Sequence, residues 1–267
     1  MSSCALYYFS STGNSLAVAL ALAERLNAPE PISIPGSLVL PDPYFAAREA
    51  ERVGFIFPTH RATLPEMVRG FIAKMPEHTD CYYFAVSTYT IFGCNEFADI
   101  DELLSAKGKR LNYAAAIQMM GNVGLRAPAT RMVERRRANM REQVDEIADA
   151  VMNRQETYLP RANKALAYLV KRFTNARRRS IVFKVDKRCT RCGVCVQVCP
   201  AQNIELSKDG ARAPIRSDKC EACLACVRWC PAEALSTRQA IHNRYHNPDI
   251  KPEQLNRTPQ DTTPTTG

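Results

Sequence analysis

The sequence predicts an α/β fold, a doubly wound parallel sheet, followed by a small α+β domain. Three observations predict it. Short apolar runs alternate with helix-patterned segments through residues 1–156, the pattern of strands joined by crossover helices. A cysteine pattern then occurs twice near the C-terminal end, its copies offset by 31 residues. Between the two regions lies a basic stretch: residues 157–188 hold ten Lys/Arg and one Asp, which accounts for the whole formal net charge of +9. The division this implies is 1–156, a basic linker 157–182, a small domain 183–240 and a tail 241–267.

Residues 4–9 form an apolar run of strand type, and residues 16–26, rich in Ala and Leu, read as a buried helix. A proline-rich loop covers 35–43. The run 53–57 is a compact apolar strand, and Met67, Val68, Phe71 and Ile72 share one side of the helix that follows it. Residues 81–87 make the next strand, with Phe97, Ile100, Leu103 and Leu104 marking a helix after it. The fifth strand is 112–119, and Val133, Met140, Val144, Ile147, Ala148 and Val151 stripe a final helix. In the basic stretch, Leu166, Leu169, Val170 and Phe173 share one side of a short helical segment. The turn Ser207-Lys208-Asp209-Gly210 joins short strands near 204–206 and 212–215.

The loop after the first strand reads Ser10-Ser11-Thr12-Gly13-Asn14-Ser15. A strand, a hydroxyl-rich loop and a helix start together make an anion site, because backbone N–H groups and the helix dipole point at the anion. The plain alternative is an ordinary helix cap. Gly-x4-Gly-Lys is absent, which disfavours a nucleoside triphosphate. The loop resembles the FMN phosphate loop of flavodoxins. That resemblance implies the strand order 2-1-3-4-5, with the flavin outside the carboxyl ends of the strands at the switch point. Pro58, Thr59 and His60 follow one of those strands, and Thr88, Tyr89, Phe92 and Gly93 follow another. Tyr89, with Phe92 behind it, is the candidate to stack on the flavin ring.

The cysteine pattern is C-x2-C-x2-C-x3-C-P: Cys189, Cys192, Cys195 and Cys199, then Cys220, Cys223, Cys226 and Cys230, each copy closed by Pro200 or Pro231. Disulfides would require an oxidising compartment. Zinc sites use paired knuckles without a third cysteine at the next turn. The spacing resembles that of bacterial ferredoxins with two [4Fe–4S] clusters, in which the fourth cysteine of each run reaches the other cluster. The resemblance therefore implies Cys189, Cys192, Cys195 and Cys230 on one cluster. Cys220, Cys223, Cys226 and Cys199 would hold the second. Trp229, the only tryptophan, lies between two of these ligands and is expected to pack over a cluster.

The whole chain resembles flavodoxin–ferredoxin fusion proteins of anaerobic bacteria and archaea. The segments that carry this are residues 10–15, Phe57-Pro58, residues 120–122, both cysteine motifs and Arg244-Tyr245-His246-Asn247-Pro248. After the last of these, a polar, Pro/Thr-rich end is expected to be disordered. The resemblance implies two cofactor types, FMN and two [4Fe–4S] clusters; a cytoplasmic location, where thiols stay reduced, is expected from the lack of a signal-peptide pattern at the N-terminus. The function that the resemblance implies is electron transfer between one- and two-electron carriers. Two rivals stand beside it: an FMN-dependent reductase acting on a small molecule at the exposed flavin, and an iron–sulfur module without flavin. No G-x-G-x-x-G occurs, so a built-in NAD(P)H site is disfavoured. The expected partner is a redox protein such as a ferredoxin or a reductase. No apolar run is long enough to span a membrane, and no nucleic acid is expected. For the basic stretch, a solvated linker helix, an electron-carrier dock and peripheral membrane contact are the readings.

Overall fold

A computed structural model describes residues 3–60, 63–76, 81–90, 95–121, 129–157, 183–206, 219–237 and 244–259. Its N-terminal part is a five-stranded parallel sheet. The strands are β1 (Cys4–Tyr8), β2 (Ile32–Ser33), β3 (Arg52–Pro58), β4 (Tyr82–Tyr89) and β5 (Tyr113–Gln118). They lie in the order β2-β1-β3-β4-β5, every pair parallel. This is the flavodoxin-like order, with its switch point between β1 and β3. β1 is buried at every residue, as expected of a strand covered by helices on both faces.

The helices are α1 (Asn14–Arg25), α2 (Ile34–Ser37), α3 (Glu66–Lys74), α4 (Glu96–Ser105) and α5 (Thr130–Met152). α1 packs against α5, and α3 packs against α4. The apolar stripe of α5 is buried at Met140, Val144, Ile147, Ala148 and Val151. Tyr7 and Tyr44 pack on Phe71 with ring centroids 5.0 and 4.8 Å apart. Their hydroxyls do not go unpaired: Tyr7 accepts from the Ala47 amide, and Tyr44 donates to the Phe71 carbonyl.

Two expectations need adjustment. β2 is only two residues long and precedes a helical turn where the sequence suggests a proline-rich loop. Of the end expected to be disordered, residues 249–259 are placed, with a 3-10 turn at Pro252–Gln254. They are held because their few apolar side chains are used. Ile250 and Leu255 are buried in the main hydrophobic core. The basic stretch 158–182, the turn at 207–210 and residues 260–267 lie outside the described residues.

In the C-terminal part, Phe183–Val185 pairs antiparallel with Leu235–Thr237. Two one-turn helices, Val194–Gln197 and Ala225–Arg228, carry cysteines from the two motifs. A small cluster of Ile204, Leu224, Cys226, Val227 and Leu235 forms its own centre. Val198, Cys223, Ala225 and Trp229 instead join the main core. The two parts therefore share apolar contacts rather than hanging from a linker.

Candidate cluster and phosphate sites

The two cysteine motifs repeat in backbone as well as in sequence. Arg191 and Ala222 both have positive φ, at 59° and 56°. So do Gly193 and Leu224, at 82° and 63°, and Gln202 and Glu233, at 48° and 49°. Left-handed backbone is uncommon outside glycine, and its recurrence at matching positions marks a geometry that the fold imposes twice. These reversals bend the chain around the thiols and turn amides toward sulfur. Ala222 N donates to Cys220 Sγ at 3.3 Å, and Asn203 N donates to Cys199 Sγ at 3.2 Å.

The structure brings Cys189, Cys192 and Cys195 together with Cys230, from the other motif, around one cavity. Val185, Ile204, Leu206 and Leu235 supply its apolar wall. Burial pushes the Cys195 thiol up, and the neighbouring Cys192, Cys230 and Cys189 add to the effect. The other four are equally mixed. Burial pushes Cys226 well up, followed by Cys223, Cys199 and Cys220, and Cys223 likewise feels Cys199 and Cys220. Such thiols release their protons only to a strong partner such as iron. None of the ten described cysteines is in a disulfide. Among the described residues, no three Cys, His, Asp or Glu side chains close on a single metal ion.

The loop at 10–15 is deeply buried. Gly13 has φ of 89° and caps α1, and its amide donates to Ser10 Oγ at 3.1 Å. Among the described residues, the amides of Asn14, Ser15 and Leu16 meet no acceptor, and the hydroxyls of Ser11 and Thr12 make no hydrogen bond. A helix start with its first amides unused, beside two uncommitted hydroxyls, suits a phosphate. Not every loop group is available. Ser15 Oγ and Thr88 Oγ1 share a hydrogen bond of 2.8 Å. The Asn14 side chain donates to the Met120 carbonyl and accepts from Tyr245 and Asn247.

Pro58, Thr59 and His60 lie at the end of β3, next to the end of β4. Thr59 N donates to Thr88 O at 2.9 Å. The Thr59 hydroxyl is committed to Glu96 Oε1 at 2.7 Å. His60 packs edge-on to Phe9, centroids 5.5 Å apart. Tyr89 ends β4 half-buried; Phe92 and Gly93 lie outside the described residues. Thus residues 10–15, 58–60 and 88–89 meet at the carboxyl edge of β1, β3 and β4.

Sequence reasoning missed four residues here. Glu96, fully buried, left no signal beyond an acid in a helix's first turn. Trp229, expected over a cluster, has two further contacts that the sequence does not announce: it stacks on His246 with centroids 4.3 Å apart and donates Nε1–H to the Ser11 carbonyl at 2.9 Å. Tyr245 and Asn247 stand in the Arg-Tyr-His-Asn-Pro segment, which carries part of the resemblance but gives these two side chains no role in sequence.

Residues 181–231 match the family described as the 4Fe-4S dicluster domain. The C-terminal part is thus similar to 4Fe–4S dicluster domains over that stretch. The flavodoxin-like order of the sheet places a flavodoxin-type fold before it. Among solved structures, the chain is similar to a flavodoxin, WrbA-like protein from Agrobacterium tumefaciens, at 15% identity over 58% of this chain and 100% of that one, TM-score 0.39. It is also similar to rubredoxin oxygen:oxidoreductase from the anaerobe Desulfovibrio gigas, at 15% identity over 55% and 36% of the two chains, TM-score 0.34. No curated protein matches the chain. No helix among the described residues is long and apolar enough to cross a membrane.

Proposed function

We propose that the protein is an electron-transfer iron–sulfur flavoprotein carrying two [4Fe–4S] clusters and FMN. The observation that carries this reading is the contact between the two halves. Trp229, adjacent to Cys230, donates to the Ser11 carbonyl at 2.9 Å. A dicluster domain and an anion-ready loop thus form one packed unit, as electron exchange between their cofactors requires.

On this reading Cys189, Cys192, Cys195 and Cys230 hold one cluster, and Cys220, Cys223, Cys226 and Cys199 the other. The thiols spread around a cavity, which suits four irons at separate corners better than one ion. The clusters supply single electrons at low potential. The flavin, when bound, accepts one or two. The chain's own residues bind, orient and shield. Ser10, Ser11, Thr12, Gly13, Asn14 and Ser15 receive the phosphate, mainly through backbone amides. Thr88 braces the loop through Ser15. Pro58, Thr59, His60 and Tyr89 border the ring; the expected roles of Phe92 and Gly93 fall outside the described residues. Amide bonds to Cys199 and Cys220 sulfur favour the charged, reduced state of their cluster. The partner on this reading is a redox protein in the cytoplasm, where thiols stay reduced.

The test is anaerobic isolation with iron, sulfide and flavin quantified, followed by reduction. The expected content is about eight irons and eight sulfides for two cubanes, with FMN. Reduced ferredoxin should bleach clusters and flavin, while NAD(P)H should not. Stoichiometric zinc without sulfide would overturn the cluster reading. For the loop, apoflavin protein is titrated with FMN and with riboflavin, and Thr12→Ala is compared. A hydrogen bond to a charged group is worth about 1.5–3 kcal/mol. The variant should therefore lose roughly tenfold to a hundredfold in FMN affinity and almost none for riboflavin. Equal affinity of the wild type for both flavins would sink the loop assignment.

A further inference from the structure

We propose that Trp229 of the dicluster domain, with Tyr245 and Asn247 of the C-terminal segment, are positioning residues that set the phosphate loop into its anion-binding form. The inference rests on the reading that this loop receives a flavin phosphate. It adds that the loop's shape is imposed from the other end of the chain.

The argument begins with the peptide group. A trans peptide points its carbonyl and its N–H in opposite directions. Whatever holds a carbonyl outward therefore turns the next amide inward. Trp229 Nε1–H holds the Ser11 carbonyl at 2.9 Å, which turns the Thr12 amide away from the tryptophan. Asn247 N–H holds the Thr12 carbonyl at 2.7 Å, which turns the Gly13 amide toward the opposite side. There the Gly13 amide meets Ser10 Oγ at 3.1 Å. Two successive carbonyls pinned outward leave successive amides facing the loop interior, the arrangement of an anion-binding nest.

The Asn14 side chain is fixed by the same segment. Its Oδ1 accepts from Tyr245 Oη at 2.9 Å and from Asn247 Nδ2 at 3.2 Å, so both lone pairs are used. Its Nδ2 is thereby left to donate to the Met120 carbonyl. Burial pushes the Tyr245 phenol up to about 12, so it stays a donor throughout the neutral range. Trp229, Tyr245 and Asn247 are at most 9% exposed, so water competes little for these bonds. Gly13 admits the segment. A Cβ there would lie 2.9 Å from Ile250 Cβ and 3.1 Å from Asn247 Cβ.

Trp229 is in turn anchored between Cys226 and Cys230 and stacked on His246. Cluster retention and phosphate binding thus act on one side chain. By linkage, each should strengthen the other by the same factor.

The experiment uses cluster-loaded protein from which flavin has been removed. FMN and riboflavin are titrated into wild type, Trp229→Phe and Tyr245→Phe, with iron and sulfide measured on each. Tyr245→Phe keeps the ring and removes only the hydroxyl, whereas Trp229→Phe removes the indole N–H together with part of the ring stacked on His246. Loss of one neutral hydrogen bond should weaken FMN roughly three- to tenfold and leave riboflavin unchanged, since general loosening would weaken both. Hydrogen exchange of the loop amides, read without flavin, should quicken in the same variants. Tyr245 is remote from the cysteines in sequence, so its variant decides the matter if Trp229→Phe loses iron. Wild-type FMN affinity and unchanged exchange in the variants would overturn this proposal while leaving the phosphate reading intact. If wild-type protein does not prefer FMN to riboflavin, the phosphate reading fails. In that case faster exchange in the variants would still uphold the clamp, and unchanged exchange would end it.

Discussion

The two cysteine motifs share a backbone and differ in surroundings. At matching positions both use left-handed residues: Arg191 with Ala222, Gly193 with Leu224, Gln202 with Glu233. Yet Cys192 is exposed, whereas its counterpart Cys223 is buried, as is Cys226. The first motif closes an apolar cavity near the surface with Cys230. The second pushes Cys223, Ala225 and Trp229 into the core of the parallel sheet. Local repetition thus supplies two similar thiol cages, and packing makes them unequal: one faces outward, the other packs toward the loop at residues 10–15.

The largest effect expected from breaking this symmetry is the loss of a whole cluster. Cys199→Ser should remove the cluster of the buried motif rather than that of its sequence neighbours. Iron should fall from about eight to about four per chain, and the surviving spectrum should match that of a Cys226→Ser variant. A spectrum matching Cys189→Ser instead would show that the ligation is not crossed.

Solvent access should separate the cages next. Under a chelator or limited oxygen, the cluster beside exposed Cys192 should be lost first. Its decay should run several-fold faster by absorbance or paramagnetic resonance. Equal decay would mean that the burial difference has no bearing on cluster lifetime.

At the seam between the halves, Gly13→Ala forces a Cβ into left-handed backbone and against Ile250. The conformation alone costs roughly 1–2 kcal/mol, and the overlap adds to it. The denaturation midpoint of the full chain should fall, with m unchanged. A matching midpoint would show that the tail shifts aside freely.

The smallest effect tests the shared backbone. Gln202→Gly and Glu233→Gly each relieve a left-handed residue whose side chain is exposed. Each should change stability by less than about 1 kcal/mol, and the two changes should agree. Opposite signs would mean that the repeat is only skin-deep.

Much of this molecule is legible in sequence. The runs at 53–57 and 81–87 are strands because continuous apolar residues suit a sheet covered on both faces. The stripe ending at Val151 is a helix because its spacing follows the 3.6-residue turn. The two cysteine repeats are legible because metal ligation would restrict both residue type and spacing, and the region they span matches the 4Fe-4S dicluster family. β2 escaped because two residues carry no periodicity.

What only the tertiary structure decided is the use of the C-terminal segment and of Trp229. Residues after Pro248 look polar enough to remain unfolded, but Ile250 and Leu255 are enough to seat them once a complementary surface exists. Trp229 meets Ser11 across 218 residues, and Tyr245 meets Asn14 across 231. Local pattern encodes the conformation of neighbours in sequence. It says nothing about which distant backbone carbonyl will lie within reach of an indole N–H, because that distance is set by the packing of the whole chain.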